Sequence, residues 1–145
     1  MVCLGNICRS PLAEGILQSK LDPEKYEVDS AGTGAYHVGN PPDPRSIAIA
    51  NQFDIDIRSQ RARQFHVLDF EKFDYIYAMD LQNYRNIVAL APDTESKNKV
   101  QLILEAALGQ QSTSVPDPYY GGDDGFLQVY TLLDKACTAI AKKLV

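Results

Sequence analysis

Several features that mark other classes of protein are missing from this sequence of 145 residues. No apolar run is long enough to span a bilayer, and no basic segment followed by an apolar stretch opens the chain, so we expect neither a membrane anchor nor a secretion signal. Only three cysteines are present, an odd number that fits reduced thiols better than a framework of structural disulfides. These absences predict a cytoplasmic location and at least one chemically active thiol.

Positive charge is also scarce. The 14 Lys and Arg are outnumbered by 19 Asp and Glu, giving a net charge of -5, and the basic residues form no cluster. This balance argues against a nucleic acid or an anionic membrane as the main partner. The two histidines stand apart and there is no Walker A lysine motif, so the residues indicate neither a zinc site nor nucleotide-triphosphatase chemistry. We expect no metal and no other cofactor.

Local patterns predict alternating strands and helices within a single domain over residues 1–145. Runs rich in β-formers predict strands at 26–30, 75–79 and 100–104, and apolar residues at helical spacing predict helices at 10–21, 44–53, 81–91 and 126–144. With a strand leading into the opening loop, this alternation predicts an α/β fold, a doubly wound four-stranded parallel sheet with helices on both faces. Its ligand site should lie at the carboxyl ends of the strands, near the switch point.

The segment from Cys3 to Arg9 joins this first strand to the first helix, which Ser10 is expected to cap. Its backbone amides can converge beside the positive end of the helix dipole, where a phosphate is stabilised. Arg9 can fold back to hold two phosphate oxygens while the Cys3 sulfur lies beneath phosphorus. Gly5 and Asn6 tolerate the positive φ that a tight loop requires. These surroundings favour the thiolate of Cys3, to which Ser10 can donate a further hydrogen bond.

The cysteines have other interpretations. Cys3 could be a packed residue at a strand end, although the neighbouring Gly-Asn and Arg-Ser-Pro favour the phosphate site. Cys8 is close enough in sequence to form a reversible disulfide with Cys3 if the loop bends both inward, and it could equally be a small packed residue. Cys137 lies on the apolar face of the last predicted helix and is expected in the core.

A carboxylic acid is the second requirement for cleaving a phosphate ester, because the leaving oxygen must be protonated. Asp117 is the best candidate, since Pro116 and Pro118 stiffen the backbone around it and two tyrosines follow. The alternative is that the segment is only a rigid turn before the last helix, with Asp123 or Asp124 as the helix cap.

Five segments, in order along the chain, resemble the low-molecular-weight protein tyrosine phosphatase family. They are Cys3-Leu-Gly-Asn-Ile-Cys-Arg-Ser-Pro11, Asp29-Ser-Ala-Gly-Thr33, Gly39-Asn-Pro-Pro-Asp43, Phe73-Asp-Tyr-Ile-Tyr-Ala-Met-Asp80 and Asp117-Pro-Tyr-Tyr-Gly121. The similarity covers essentially the whole chain. It implies a hydrolase that cleaves phosphotyrosine in protein substrates through a phosphocysteine and releases inorganic phosphate.

The resemblance also implies a role for each site residue. Cys3 is the nucleophile, Arg9 the phosphate clamp, and Asp117 the general acid and later the base that activates water. Ser10 assists the thiolate, Asn6 and Ser30 hold the loop, and Cys8 is the partner in a protective reversible disulfide. The residues implied to contact substrate are Leu4, Gly5, Asn6, Ile7, Cys8, Ser10, Tyr36, Tyr119 and Tyr120. Leu4 and the three tyrosines form a deep slot that excludes phosphoserine, whose shorter arm cannot reach Cys3.

The chain departs from the family pattern at one point, and three rival functions stay open. Only Met1 and Val2 precede Cys3, so we expect a shortened first strand. An arsenate reductase would need further cysteines, and only Cys137 follows Cys8. A phosphoarginine phosphatase resembles this chain but favours Thr at the position of Ile7. A non-catalytic phosphate-binding module, in which Cys3 merely packs, is the alternative outside enzymes.

Overall fold

The sheet is built from four short parallel strands. A computed structural model describes residues 1–109, 114–119 and 123–145. Its strands are Val2–Cys3 (β1), Ala31–Gly32 (β2), Ile76–Ala78 (β3) and Val100–Leu102 (β4), paired in the order β2-β1-β3-β4. The strand order reverses between β1 and β3, which places the switch point beside the end of β1.

Helices cover both faces of this sheet. They are Arg9–Lys20 (α1), Pro44–Gln52 (α2), Asp69–Lys72 (α3), Leu81–Leu90 (α4), Thr94–Asn98 (α5), Ile103–Leu108 (α6) and Asp123–Leu144 (α7). One core cluster joins α1, α2, α6 and α7, and a second joins the opposite face of the sheet to α3 and α4. None of the helices within the described part of the chain is long and apolar enough to cross a membrane.

The alternation of side chains along β3 explains the two cores. Ile76 and Ala78 belong to the cluster that contains Ile87 of α4, whereas Tyr77 belongs to the cluster that contains Leu133 of α7. Successive strand residues point to opposite faces, so each face is buried under its own helices. The predicted doubly wound, four-stranded parallel sheet with helices on both faces is therefore confirmed, and β1 leads into the loop at Cys3.

Two strand predictions were wrong in their bounds. Residues 26–30 are not a strand, and β2 begins at Ala31, because Ala31 is the register partner of Val2 at the start of β1. The strand predicted at 100–104 ends at Leu102, and the chain turns at once into α6. Ile103 and Leu104 are fully buried in that helix. A short apolar run does not by itself distinguish a buried strand from a buried helix.

The helix predictions agree with the structure more closely. The helix opened by Pro44 and the apolar face of α7 are both present, and Cys137 is fully buried in the core. The predicted cap of α1 was wrong. That helix begins at Arg9, and Cys8 occupies the cap position without a side-chain hydrogen bond. The Ser10 hydroxyl instead turns toward Cys3.

Candidate active site

The loop between β1 and α1 curls around the Cys3 sulfur. Asn6 adopts a positive φ of 57°, which brings its N–H to 3.3 Å from Cys3 Sγ. The Ser10 hydroxyl lies 3.0 Å from the same sulfur. Both groups can donate to a thiolate, and the amino end of α1 adds a favourable dipole. The environment of Cys3 is therefore built for an anion.

Four carbonyl groups of the loop are hydrogen-bonded to neighbouring segments. Those of Cys3, Leu4, Ile7 and Cys8 accept hydrogen bonds from Thr33 N, Gly34 N, Asp43 N and Ser46 Oγ at 2.9, 2.9, 2.8 and 3.3 Å. Gly32 allows this close approach, since a Cβ there would lie 2.7 Å from the Leu4 oxygen. With the carbonyls bonded outward, the loop can turn its amides inward to form an anion-binding nest.

Arg9 is held rigidly at the side of the loop. Its side chain is 3% exposed, and Nη1 donates to Asp80 Oδ2 at 2.7 Å and to the Val115 carbonyl at 3.0 Å. Asp80 comes from the N-cap of α4, directly beyond β3, where its other oxygen accepts from Asn83 N. The carboxylate therefore fixes the guanidinium at the switch point of the sheet.

Asp117 faces Arg9 across the site. Its Oδ2 lies 3.8 Å from Arg9 Nη2, and its Oδ1 accepts the N–H of Tyr119 at 3.0 Å. The side chain is 42% exposed, so the carboxyl group is open to a substrate and to water. Arg45 donates to the Tyr119 carbonyl at 3.0 Å and stacks on that ring, which ties the segment to α2.

These residues surround a cavity of about 360 Å³. It is lined by Cys3, Leu4, Gly5, Ile7, Cys8, Arg9, Tyr36, His37, Asp117 and Tyr119. Three other predicted site residues are buried: Asn6 within the loop, Ser10 in the first turn of α1, and Ser30 just before β2. Tyr120 lies outside the described residues. Leu4, Tyr36 and Tyr119 are exposed at 43%, 76% and 38%, which leaves their apolar surfaces available at the cavity.

The three cysteines are free thiols in different environments. Burial raises the pKa of Cys8 to about 12, and the charges of Asp43 and Cys3 act in the same direction. Burial likewise raises the pKa of Cys137 to about 12, and its thiol donates to the Ala13 carbonyl between α1 and α7. Cys8 and Cys137 are therefore protonated at neutral pH. The Cys3 sulfur lies within hydrogen-bonding distance of the Ser10 hydroxyl and the Asn6 N–H.

Sequence reasoning missed two contributors to this site. Asp80 belongs to a quoted motif, but the sequence did not show that its carboxylate would reach Arg9. No site role was predicted for His37, yet its ring lines the cavity and packs on Gly5, where an added Cβ would lie 3.1 Å from His37 Cδ2. Across the described ranges, no group of three or more His, Cys, Asp and Glu side chains could hold a metal ion.

A second cavity, of about 390 Å³, lies at the opposite ends of the strands. Met1, Tyr26 and Phe73 are among its lining residues. None of the described lining residues is a cysteine. Of these two cavities, only the one beside Cys3 has a cysteine, a buried arginine and an exposed carboxylate together among its described lining residues.

Known proteins are similar to this chain over nearly its whole length. A low molecular weight phosphotyrosine protein phosphatase from Schizosaccharomyces pombe is 46% identical to this chain. The match covers 91% of this chain and 86% of the relative. The human phosphatase of the same description is 39% identical over 98% of this chain and 92% of its own. A protein tyrosine phosphatase from Entamoeba histolytica, solved with Hepes in its active site, superposes with a TM-score of 0.91 at 39% identity, covering 99% and 93% of the two chains.

A further solved structure carries an aryl ligand. Wzb of Vibrio vulnificus, in complex with benzylphosphonate, has a TM-score of 0.87 at 32% identity and covers 98% of this chain and 94% of its own. A family model for the low molecular weight phosphotyrosine protein phosphatases matches residues 1–145. From its first residue to its last, the chain belongs to the low molecular weight phosphotyrosine protein phosphatase family.

Proposed function

We propose that this protein hydrolyses phosphotyrosine in protein substrates through a phosphocysteine at Cys3. The observation that carries the proposal is the placement of the Cys3 sulfur in a cavity that also holds Arg9 and Asp117, with Asn6 N–H and the Ser10 hydroxyl directed at the sulfur. A nucleophile, an anion clamp and a proton donor thus face one space, as phosphoryl transfer requires.

The first half of the reaction transfers the phosphoryl group to sulfur. The Cys3 thiolate attacks phosphorus, the S–P bond forms, and the bond from phosphorus to the tyrosyl oxygen breaks. Asp117 gives its proton to that oxygen, so tyrosine leaves as a neutral phenol. Arg9 and the inward-facing amides of the loop stabilise the charge on the phosphoryl oxygens.

The second half releases inorganic phosphate. Asp117, now a carboxylate, accepts a proton from water while the water oxygen attacks phosphorus. The S–P bond breaks, and the electron pair returns to Cys3 as the thiolate. Ser10 and Asn6 stabilise this leaving thiolate with the same hydrogen bonds that favour it before the reaction.

The walls of the cavity support an aryl substrate. Leu4, Tyr36 and Tyr119 present exposed apolar surface beside the site, onto which an aromatic ring can stack. The Vibrio vulnificus relative was solved with benzylphosphonate, whose ring and phosphorus resemble those of phosphotyrosine. Phosphoserine has a shorter side chain and no ring. It should therefore make no stacking contact, and its phosphorus should not reach the Cys3 sulfur.

A panel of phosphopeptides tests this function against its rivals. Peptides of one sequence carrying phosphotyrosine, phosphoserine or phosphoarginine would be incubated with the protein, and released phosphate measured. We expect hydrolysis of phosphotyrosine at a kcat/KM at least about 10²-fold above that of the other two. Preferential release from phosphoarginine would contradict the proposal. Phosphate binding without release from any peptide would favour the non-catalytic module.

Arsenate reduction has little support from the structure. A relay of oxidation away from the loop would need an accessible second or third thiol. Cys137 is fully buried and bonded to Ala13, which makes it a poor member of such a relay. Arsenate-dependent oxidation of thioredoxin by the protein would restore this rival.

The redox role of Cys8 and the cellular location belong to the same proposal. Cys8 lines the cavity with Cys3, and its pKa is raised first by burial and then by the charges of Asp43 and Cys3. Peroxide would convert the Cys3 thiolate to a sulfenic acid, removing that charge. Cys8 would then attack the sulfenic sulfur, forming a disulfide and releasing water.

The proposed cellular location is the cytoplasm. Three free thiols, one of which is the proposed nucleophile, suit its reducing conditions.

Recovery from peroxide measures the role of Cys8. After mild peroxide has inactivated the protein, a dithiol should restore most of the activity of the wild type. The Cys8→Ser variant should recover little, because its sulfenic acid continues to the sulfinic acid. Equal recovery of both proteins would remove Cys8 from this role.

A further inference from the structure

The side chain of Asn6 is a junction of three hydrogen bonds. Its Oδ1 accepts the N–H of Arg63 at 3.0 Å. Its Nδ2 donates to Ser10 Oγ at 2.7 Å and to Ser30 Oγ at 2.9 Å. The backbone N–H of Arg63 can only donate, so the Asn6 oxygen must face it and the amide nitrogen must face the two hydroxyls. The orientation of the amide is therefore determined by its partners.

This orientation fixes the direction of both serine protons. Ser10 Oγ and Ser30 Oγ each accept a hydrogen from Asn6, so each must donate its own proton to another group. The acceptor for the Ser10 proton is Cys3 Sγ, which lies 3.0 Å from Ser10 Oγ. The acceptor for the Ser30 proton is Glu14 Oε1, which lies 2.6 Å from Ser30 Oγ. One chain of hydrogen bonds thus runs between the reactive sulfur and a carboxylate that the reaction does not touch.

Helix α1 carries two members of this chain, Ser10 and Glu14, on one face. Ser10 and Glu14 are four residues apart, which brings them above one another on the helix. Glu14 is partly buried, and its distance to Ser30 lies in the range of a charge-assisted hydrogen bond. Burial raises the pKa of Glu14, and the Ser30 hydrogen bond opposes that shift. Arg63 and the Met1 amino group favour the carboxylate, whereas Asp29 disfavours it.

We propose that Glu14 is a positioning residue of the active site. By accepting the Ser30 proton, Glu14 holds Ser30 against the Asn6 amide, and the amide keeps the Ser10 hydroxyl directed at the Cys3 thiolate. The inference rests on the proposed function and adds to it a residue outside the loop and the cavity lining.

The role of Glu14 is that of an acceptor, not of a charge. A negative charge near Cys3 opposes ionisation of the sulfur, so removing the charge alone would favour the thiolate. Removing the acceptor has the opposite effect, since Ser30 loses its partner and the Asn6 junction loosens. A substitution that removes only the charge and one that also removes the hydrogen-bond acceptor should therefore give different results.

Two variants make this separation. Glu14→Gln retains a carbonyl oxygen for Ser30, and we expect its kcat/KM on a phosphotyrosine peptide to stay within about threefold of the wild type. Glu14→Ala removes the acceptor, and we expect kcat/KM to fall about tenfold. Alkylation of Cys3 by iodoacetamide, followed against pH, should shift to higher pH in Glu14→Ala and not in Glu14→Gln. Ser30→Ala should match Glu14→Ala, and the double variant should add little further loss.

Gln18 supplies the matched control. It lies one turn beyond Glu14 on α1, is partly buried, and accepts the Val28 N–H at 3.4 Å. Gln18→Ala should alter thermal stability without moving the alkylation profile. If Glu14→Ala does not fold, Glu14→Leu retains the side-chain volume and carries the same expectation.

The outcomes distinguish this inference from the function on which it rests. A wild type that hydrolyses no phosphotyrosine peptide would overturn the proposed function. An active wild type whose Glu14→Ala variant keeps both its kcat/KM and its alkylation profile would overturn the role of Glu14 alone. Equal losses in Glu14→Gln and Glu14→Ala would also overturn it, because charge would then be the cause.

Discussion

Replacing Cys3 with serine is expected to abolish hydrolysis of phosphotyrosine peptides while phosphate binding is retained. A serine hydroxyl fits the space of the thiol but stays protonated at neutral pH, so the loop holds no ready nucleophile. Arg9 and the inward amides remain in place to bind phosphate. We expect kcat to fall roughly 10⁴–10⁶-fold, the effect of removing a nucleophile from an enzyme. Steady-state hydrolysis and calorimetric titration with phosphate measure the two properties separately.

Cys137 provides the control for this substitution. Its thiol donates to the Ala13 carbonyl in the core at 3.7 Å, a length that suits sulfur, and a serine oxygen on its shorter bond would lie beyond hydrogen-bonding distance of that carbonyl. Cys137→Ser should therefore change stability more than turnover. A Cys3→Ser protein that kept a tenth of the activity of the wild type would exclude Cys3 as the nucleophile.

Replacing Asp117 with asparagine should reduce turnover of phosphotyrosine peptides about 10²–10⁴-fold, the usual contribution of a general acid. Asparagine can still accept the Tyr119 N–H through its side-chain oxygen, so the segment keeps its hydrogen bond. The amide cannot protonate the tyrosyl oxygen. An aryl phosphate with an activated leaving group, such as p-nitrophenyl phosphate, needs that proton less and should lose less activity.

The two substrates supply the internal comparison for Asp117, and Asp124 supplies the control variant. Asp124 is an exposed carboxylate at the start of α7. Asp124→Asn should leave both rates near those of the wild type. Losses of equal size on the peptide and on p-nitrophenyl phosphate would show that Asp117 acts in some other way than as the acid.

Patterns that are local in sequence predicted most of the fold. The apolar spacing along the last helix holds because Phe126, Leu133 and Ile140 lie on one buried face of α7. The loop from Cys3 to Arg9 was predicted for a similar reason, since a strand end, a positive φ at Asn6 and a helix start are neighbours in the chain. Local patterns determine local conformation. The resemblance to the family added that the five matched segments, in their order along the chain, belong to one known fold.

Contacts between residues that are distant in the chain could not be predicted from sequence patterns. Asp80 is 71 positions from Arg9, and Ser30 is 16 from Glu14, so no spacing rule links either pair. The Ser10 prediction shows the same limit. Serine before proline is a common helix cap, but here the hydroxyl is drawn away by the sulfur and by the Asn6 amide, which only the folded loop brings near.

The phosphocysteine itself gives the most direct test of the whole account. The protein would be mixed with a phosphotyrosine peptide, quenched in acid within milliseconds and digested for mass spectrometry. We predict one added phosphoryl group on the fragment that contains Cys3, and no such adduct in the Cys3→Ser variant. A wild-type protein that turns over substrate at full rate without any phosphoryl group on that fragment would contradict the covalent route.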